Sequence, residues 1–146
     1  MATRPNYLSL DPTYRDAYGQ PLLRITFDFP KNDVRMARYV TDRAVEIATL
    51  MGGEIVVPSY RSTPYSIVPH QTTHNTGGAI MGTDRKTSVV NRYLQSWDVA
   101  NVFVQGACVY PQNPGYNPTG TVGALVYWTV KAIREHYLKQ PGPLVR

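Results

Sequence analysis

One stretch in the middle of the chain reads HNTGGAIMG, from His74 to Gly82. Glycine has no Cβ, so its backbone can approach a ligand closely or adopt dihedral angles that other residues avoid. The stretch ends a long loop, rich in Pro, Ser, Thr and Tyr, that follows Val57. Loops of this length without periodicity are usually functional or disordered. Two histidines in the loop, His70 and His74, favour a functional site.

Two segments farther along the chain have a similar character. Residues 101–107 (NVFVQGA) predict a buried strand that ends in small residues. In α/β architectures ligands bind beyond the carboxyl ends of strands, so this corner is a natural contact point. Residues 111–121 (PQNPGYNPTGT) lead directly into a predicted helix. The amides and the positive dipole end of that helix can stabilise a negatively charged ring or oxygen.

The first half of the chain predicts a strand followed by a helix. Residues 1–19 are polar and Tyr-rich and predict a loop or a short edge strand. Residues 21–29 predict a half-buried strand, because apolar side chains alternate at Leu23, Ile25, Phe27 and Phe29. Asn32 is the predicted N-cap of an amphipathic helix whose apolar positions run from Met36 to Met51. Gly52 and Gly53 are expected to end it.

The second half predicts short strands around 54–57 and 99–106 and a helix that opens at Thr119 and continues to Tyr137. Together these elements indicate an α+β fold with a mixed, partly antiparallel sheet, an amphipathic helix and a C-terminal helix. Two or three short strands form only a small sheet, and two helices cover little of it, so much of a stable core would have to come from additional structure. We therefore expect exposed apolar surface where further structure would dock.

Composition and charge exclude several classes of function. The 146 residues carry a net charge of +5, but Lys and Arg are scattered, and Arg85 with Lys86 is only a pair. A nucleic-acid interface needs a clustered basic face, so no nucleic-acid partner is expected. Cys108 is the single cysteine, which excludes an internal disulfide and a four-cysteine metal site; no metal site is expected. No apolar run is long enough to span a membrane, and Met1 to Asn6 lacks a signal-peptide pattern.

Three motifs together resemble the C-terminal signature of the glucose–methanol–choline (GMC) oxidoreductase family. They are the His-x-x-Gly-Gly-x-x-Met-Gly pattern from His74 to Gly82, the run from Asp98 to Ala107, and the run from Asn117 to Thr121. Their order and spacing match the family pattern, and the resemblance covers nearly the whole chain. Residues 6–8 (NYL) and 16–23 (DAYGQPLL) are similar to bacterial flavoprotein dehydrogenases of the subgroup that includes gluconate 2-dehydrogenase.

The resemblance implies oxidation of an alcohol group by FAD. His74 occupies the position of the active-site histidine, whose near-neutral pKa as a residue type suits a general base. Asn117 occupies the position of the second catalytic polar residue; it can hold a substrate oxygen by hydrogen bonding but cannot act as a base. The residues that the resemblance assigns to FAD binding are Gly106, Ala107, Asn117, Pro118, Thr119 and Thr121.

One departure from the family pattern concerns the cofactor. The sequence holds no Gly-x-Gly-x-x-Gly turn, the feature that cradles the FAD pyrophosphate. The resemblance therefore implies a C-terminal part of the enzyme, with residues 1–69 as the remainder of a substrate-binding domain and 70–146 as the segment with the active-site loop and the flavin-facing helix. FAD would be shared with a flavin-binding N-terminal polypeptide.

The resemblance also implies partners and a location. The substrate would be a sugar, a polyol or a sugar acid, and a cytochrome c subunit would receive the electrons. The subgroup implies the periplasmic side of the bacterial inner membrane, although no signal or membrane segment supports this on the chain itself.

Other interpretations of the same residues stay open. The chain could be a non-catalytic remnant or an interaction module that does not bind flavin alone. His70 and His136 are interpreted as structural, and Tyr116 as a packing residue. Asn113 and Asn117 could instead form turns next to proline or glycine.

Overall fold

The computed structural model describes residues 3–61, 64–66, 73–113 and 116–145. The described architecture is α+β, as the sequence predicts, with a two-stranded antiparallel sheet and two α-helices. The chain divides into two compact units. We call Pro5–Gln71 the N-terminal unit and Thr72–Arg146, together with Met1–Arg4, the C-terminal unit.

The sheet is a hairpin in the N-terminal unit. Strand β1 spans Tyr7–Arg15 and pairs antiparallel with β2, which spans Pro21–Thr26. The pairing is interrupted between Leu10 and Arg15, where the Asp11 carboxylate accepts the N–H groups of Tyr14 and Thr13 at 2.8 and 2.9 Å. These two hydrogen bonds, from Tyr14 first, hold the pKa of Asp11 below its ordinary value.

One face of the hairpin is apolar and exposed. Leu8 pairs with Ile25 and Leu10 with Leu23, and residues directly opposite each other on neighbouring strands share a face. The exposed fractions of these side chains are 50% for Leu8, 68% for Leu10, 61% for Leu23 and 68% for Ile25. The predicted half-burial of Leu23 and Ile25 is therefore wrong for this chain, because no described element of the N-terminal unit covers this face. The predicted exposed apolar surface is present.

Strand β2 ends at Thr26 rather than at Phe29. Phe27 and Phe29 instead form an edge-to-face cluster with Tyr65, with ring centroids 5.0–5.6 Å apart. The Asp28 carboxylate between them accepts the Tyr65 N–H at 3.0 Å. The alternating pattern therefore continues past the end of the strand. Its last two aromatic residues pack against Tyr65, in the loop that follows helix α1.

Helix α1 spans Lys31–Leu50. Its N-cap is Pro30 with no side-chain cap, so the prediction of Asn32 as the cap is wrong; proline already has the backbone angle that a helix start needs. The predicted end is confirmed: Gly52 has φ +83° and donates its N–H to the Thr49 carbonyl at 3.0 Å. None of the helix residues is buried, although Met36 and Ile47 belong to its apolar stripe.

Two predicted strands do not form. Residues 54–57 have no strand pairing in the structure. Residues 99–106 contribute one isolated antiparallel bridge, between Gln95 and Phe103. The apolar run does contribute to the core, because Val104 packs against it. A strand, however, needs a neighbouring segment that hydrogen-bonds along its length, and this run has only one bridge.

The core of the C-terminal unit includes residues of the first two motifs, Met81, Val104 and Ala107, and residues of the helix that follows the third, Val122 and Leu125. Val90, Leu94, Val109 and Tyr110 are buried at its centre. Cys108 is half-buried against this cluster, and its thiol donates a weak hydrogen bond to the Gln105 carbonyl at 3.7 Å. Helix α2 spans Thr119–Ala132 and continues as a π-helical turn, Ile133–Tyr137, so the predicted helix to Tyr137 is confirmed.

We expect Gly82→Ala to destabilise the C-terminal unit by about 1–3 kcal/mol through overpacking. A Cβ at Gly82 would lie 2.8 Å from the Ser88 Cβ. Ser88 has little freedom to move, because its hydroxyl donates to the Asp84 carbonyl at 2.7 Å and accepts the Trp97 indole N–H at 2.9 Å.

Urea unfolding of the wild type and of Gly82→Ala measures the difference in their free energies of unfolding. Gly123→Ala is the matched control, since a Cβ there meets nothing within 4 Å and alanine favours a helix interior by about 0.5–1 kcal/mol. Equal stability of Gly82→Ala and the wild type would contradict the predicted clash.

Candidate active site

The fold brings the three sequence motifs together in the C-terminal unit. The N–H groups of Ala79 and Met81 donate to the carbonyls of Cys108 and Val109 at 2.9 and 2.8 Å. The first motif therefore lies alongside the short 3₁₀ turn Ala107–Val109 that ends the second. The Tyr110 hydroxyl, which follows this turn, donates to the Pro118 carbonyl of the third motif at 3.1 Å.

A cleft of about 320 Å³ opens between the first and third motifs, and no residue of the second motif lines it. The predicted site residues that line it are Asn117, Pro118 and Thr121. The loop that leads into α2 forms one wall, and the buried side of α2 forms another. The other lining residues are Met81, Tyr110, Pro111, Gln112, Asn113, Tyr116 and Leu125. Mixed apolar and amide-bearing walls of this kind are typical of small-molecule sites.

His74 lies in the first motif but does not line this cleft. Its side chain is exposed and its backbone has φ +59°, a left-handed conformation that is uncommon for residues other than glycine. Gly77, three residues later, has φ +87°. Backbone outliers of this kind cluster at functional sites, where the surrounding structure holds them. His70 lies outside the described residues, and His136 is exposed in the π-helical turn.

Gly106 and Ala107 lie at the turn that ends the second motif. Gly106 has φ +119°, so a tight turn already requires glycine at this position. Ala107 packs against the core cluster and opens the 3₁₀ turn. Neither residue lines the cleft. The positive φ of Gly106 and the packing of Ala107 against the core are therefore structural reasons for small residues here, in addition to any contact with a cofactor.

The N-terminus of α2 is the part of the site that fits a flavin ring. Pro118 caps the helix without any side-chain hydrogen bond. The first-turn amides, including those of Thr119 and Thr121, have no partner within a helix, and the dipole makes this end positive. A Cβ at Gly120 would meet nothing within 4 Å, so a planar group has room beside the first turn. This end of the helix can therefore receive an anionic or electron-rich group.

Sequence reasoning missed several residues of the cleft. Met81 was predicted only as part of a motif, and Leu125 only as a helix residue, yet both line the wall. The prediction that Tyr116 is a packing residue is wrong, since its side chain is 81% exposed and borders the cleft. Asn113 is half-buried and also lines it. Met81 and Leu125 are identified only by their packing against the core, whereas Asn113 and Tyr116 belong to the 111–121 segment that the sequence already singles out.

Two features are absent from residues 3–61, 64–66, 73–113 and 116–145. No group of three or more His, Cys, Asp or Glu side chains is arranged there to hold a metal ion. In the same ranges, neither α-helix is both long enough and apolar enough to cross a lipid bilayer.

Comparison with known proteins gives a family match. The C-terminal model of the GMC oxidoreductase family matches residues 2–125. The chain is 57% identical over 145 residues to the gluconate 2-dehydrogenase flavoprotein of Pantoea cypripedii, covering 98% of the chain and 24% of that protein.

Two more distant relatives are similar over most of the chain. The fructose dehydrogenase large subunit of Gluconobacter japonicus is 34% identical over 128 residues, or 88% of the chain and 22% of the relative. The 2-methyl-1,2-propanediol dehydrogenase of Mycolicibacterium austroafricanum is 32% identical over 126 residues, or 86% and 22%. The chain therefore spans about a quarter of the length of the curated relatives that it matches.

Proposed function

Because the chain belongs to the GMC oxidoreductase family, we propose that it is the C-terminal part of an FAD-dependent dehydrogenase that oxidises a CH–OH group of a sugar, a polyol or a sugar acid. The observation that carries the proposal is one cleft between the first and third motifs, with Met81, Asn117 and the start of α2 in its wall. The second motif contacts the first through the adjoining 3₁₀ turn. The names of the relatives, which act on gluconate, fructose and a propanediol, support this substrate class.

His74 and Asn117 have distinct roles in the proposed reaction. His74 removes the hydroxyl proton of the substrate, and its exposed side chain is accessible for that transfer. Asn117 holds the same oxygen through its amide N–H, because an amide donates hydrogen bonds but cannot accept a proton at neutral pH. When bound, FAD supplies the acceptor for the hydride that leaves the substrate carbon.

The start of α2 would stabilise the reduced cofactor. The amides of Thr119 and Thr121 would donate toward the edge of the ring where negative charge develops, and Pro118 and Asn117 would border the cofactor there. Preorganised donors of this kind act without reorganising during the reaction. Gly106 and Ala107 form a small-residue corner along the cofactor.

In this proposal, the binding site for FAD is completed by structure outside these 146 residues. The pyrophosphate-binding turn is absent from the sequence, so residues 70–146 supply the flavin-facing segment and 1–69 the remainder of a substrate domain. A flavin-binding N-terminal polypeptide supplies the rest. The words "large subunit" in the name of one relative support a multi-subunit enzyme. A cytochrome c subunit as the electron acceptor is part of the proposal.

A second candidate is an interaction module without catalysis. The exposed hairpin face formed by Leu8, Leu10, Leu23 and Ile25 favours it, since apolar patches of this kind mark protein-interaction sites. The two candidates differ in whether flavin is ever bound.

The visible absorption spectrum distinguishes them. We expect no flavin absorbance for the chain alone, and a flavin spectrum when the chain is co-expressed with a flavin-binding N-terminal polypeptide. Addition of gluconate or another sugar acid is expected to bleach that spectrum. Absence of flavin in both preparations would overturn the dehydrogenase proposal and favour the interaction module.

A further inference from the structure

Tyr110 links the core of the C-terminal unit to the start of α2. Its side chain is only 7% exposed and packs with Val90, Leu94 and Val109. The phenolic hydroxyl is the one polar atom of this side chain, and it donates to the Pro118 carbonyl at 3.1 Å. The ring is therefore held in the buried core, and its hydroxyl hydrogen-bonds to the first peptide of the helix.

The Pro118 carbonyl accepts two hydrogen bonds. Besides the Tyr110 hydroxyl, the Val122 N–H donates to it at 3.0 Å as the first bond of the helix. A carbonyl oxygen has two lone pairs, so both are used. Pro118 itself offers no side-chain hydrogen bond to the helix amides. The hydroxyl therefore adds a constraint at a helix end that has no side-chain cap.

A peptide group is planar, so the direction of the Pro118 carbonyl determines the direction of the Thr119 N–H on the opposite side of the same peptide. Thr119 is the first residue of α2, and its amide has no partner within the helix. We infer that the Tyr110 hydroxyl is a positioning group that sets the direction of the Thr119 amide, which adjoins Pro118 of the cleft wall. This inference rests on the proposed function, in which that amide faces the flavin.

The consequence concerns the reduced cofactor. An amide N–H that points at developing negative charge stabilises the reduced ring relative to the oxidised ring. This stabilisation becomes smaller when the N–H is free to point in several directions. Tyr110 touches neither the substrate nor the cofactor in this scheme; it acts through the Pro118–Thr119 peptide.

Tyr110→Phe tests the inference, because it removes the hydroxyl and keeps the ring. We expect the equilibrium constant for flavin reduction, measured against a reference dye in the co-expressed complex, to fall about three- to tenfold, the value of one hydrogen bond. In the chain without flavin, hydrogen exchange at the Val122 amide is expected to become faster. Tyr127→Phe is the control, since Tyr127 lies on α2 and is 81% exposed.

The outcomes separate this inference from the proposal that it rests on. Normal flavin content with an unchanged equilibrium constant in Tyr110→Phe would overturn the positioning role alone, even if the thermal stability of the complex fell. A wild-type complex without flavin would overturn the proposed function and this inference with it. A lower equilibrium constant in Tyr110→Phe, but not in Tyr127→Phe, would support both.

Discussion

His74→Asn is expected to slow the bleaching of bound flavin by substrate about 10²–10⁴-fold, the usual contribution of a general base. Asparagine is the informative replacement, because His74 has φ +59° and asparagine is among the few residues that tolerate this conformation. The backbone is therefore retained while the proton acceptor is removed. The measurement is the rate of absorbance loss in an anaerobic stopped-flow experiment on the co-expressed complex, with gluconate as the first substrate.

The control for this experiment is His136→Asn. His136 is exposed in the π-helical turn, outside the three motifs, so its replacement is expected to leave the bleaching rate unchanged. Flavin content is measured in every sample, since loss of the cofactor would imitate loss of catalysis. A wild-type bleaching rate in His74→Asn would show that another group accepts the proton.

Gln95→Leu is expected to destabilise the C-terminal unit by about 2–4 kcal/mol, because it leaves several partly buried backbone groups without a partner. Gln95 is 1% exposed. Its amide nitrogen donates to the carbonyls of Ala100 and Gly142 at 2.6 and 2.9 Å, and its amide oxygen accepts the Leu144 N–H at 2.7 Å. One side chain thus ties the end of the chain to residues 91–100.

Urea unfolding of the purified chain measures this loss. Leucine has a similar volume to glutamine, so the change removes hydrogen bonds without leaving a large cavity. Gln105→Leu is the matched control, because Gln105 is exposed and the same replacement there is expected to change the free energy of unfolding by less than about 0.5 kcal/mol. Equal effects of the two replacements would mean that the Gln95 network contributes nothing.

Parts of the fold follow from local signals in the sequence. Helix α1 ends before Gly52 because glycine can adopt the positive φ that closes a helix. Helix α2 begins at Thr119, directly after a proline, and its apolar spacing persists to Tyr137. Alternation predicts strand β2, but for residues 1–19 the sequence predicts only a loop or a short edge strand, whereas they contain the nine-residue strand β1. The two strands are joined by a turn at Asp16, whose carboxylate accepts the N–H groups of Tyr18 and Gln20 at 2.9 Å. These signals act over a few residues and need no distant partner.

The wrong predictions depend on distant partners. Residues 54–57 and 99–106 have the composition of strands, but a strand exists only where a neighbour accepts and donates its backbone hydrogen bonds. Leu23 and Ile25 alternate correctly, yet burial needs a second layer, and the described N-terminal unit offers none on that face. Asn32 is a good cap residue, but Pro30 already starts the helix.

The sequence by itself determined the three motifs, the α+β class and the resemblance to a family, because each depends on residue type and spacing along the chain. Only the tertiary structure decided that the motifs meet, through the bonds of Ala79 and Met81 to the 3₁₀ turn and of Tyr110 to Pro118. It also decided that Leu125 lines the cleft. Such contacts join residues far apart in the chain, so their energies depend on packing geometry that no local pattern encodes.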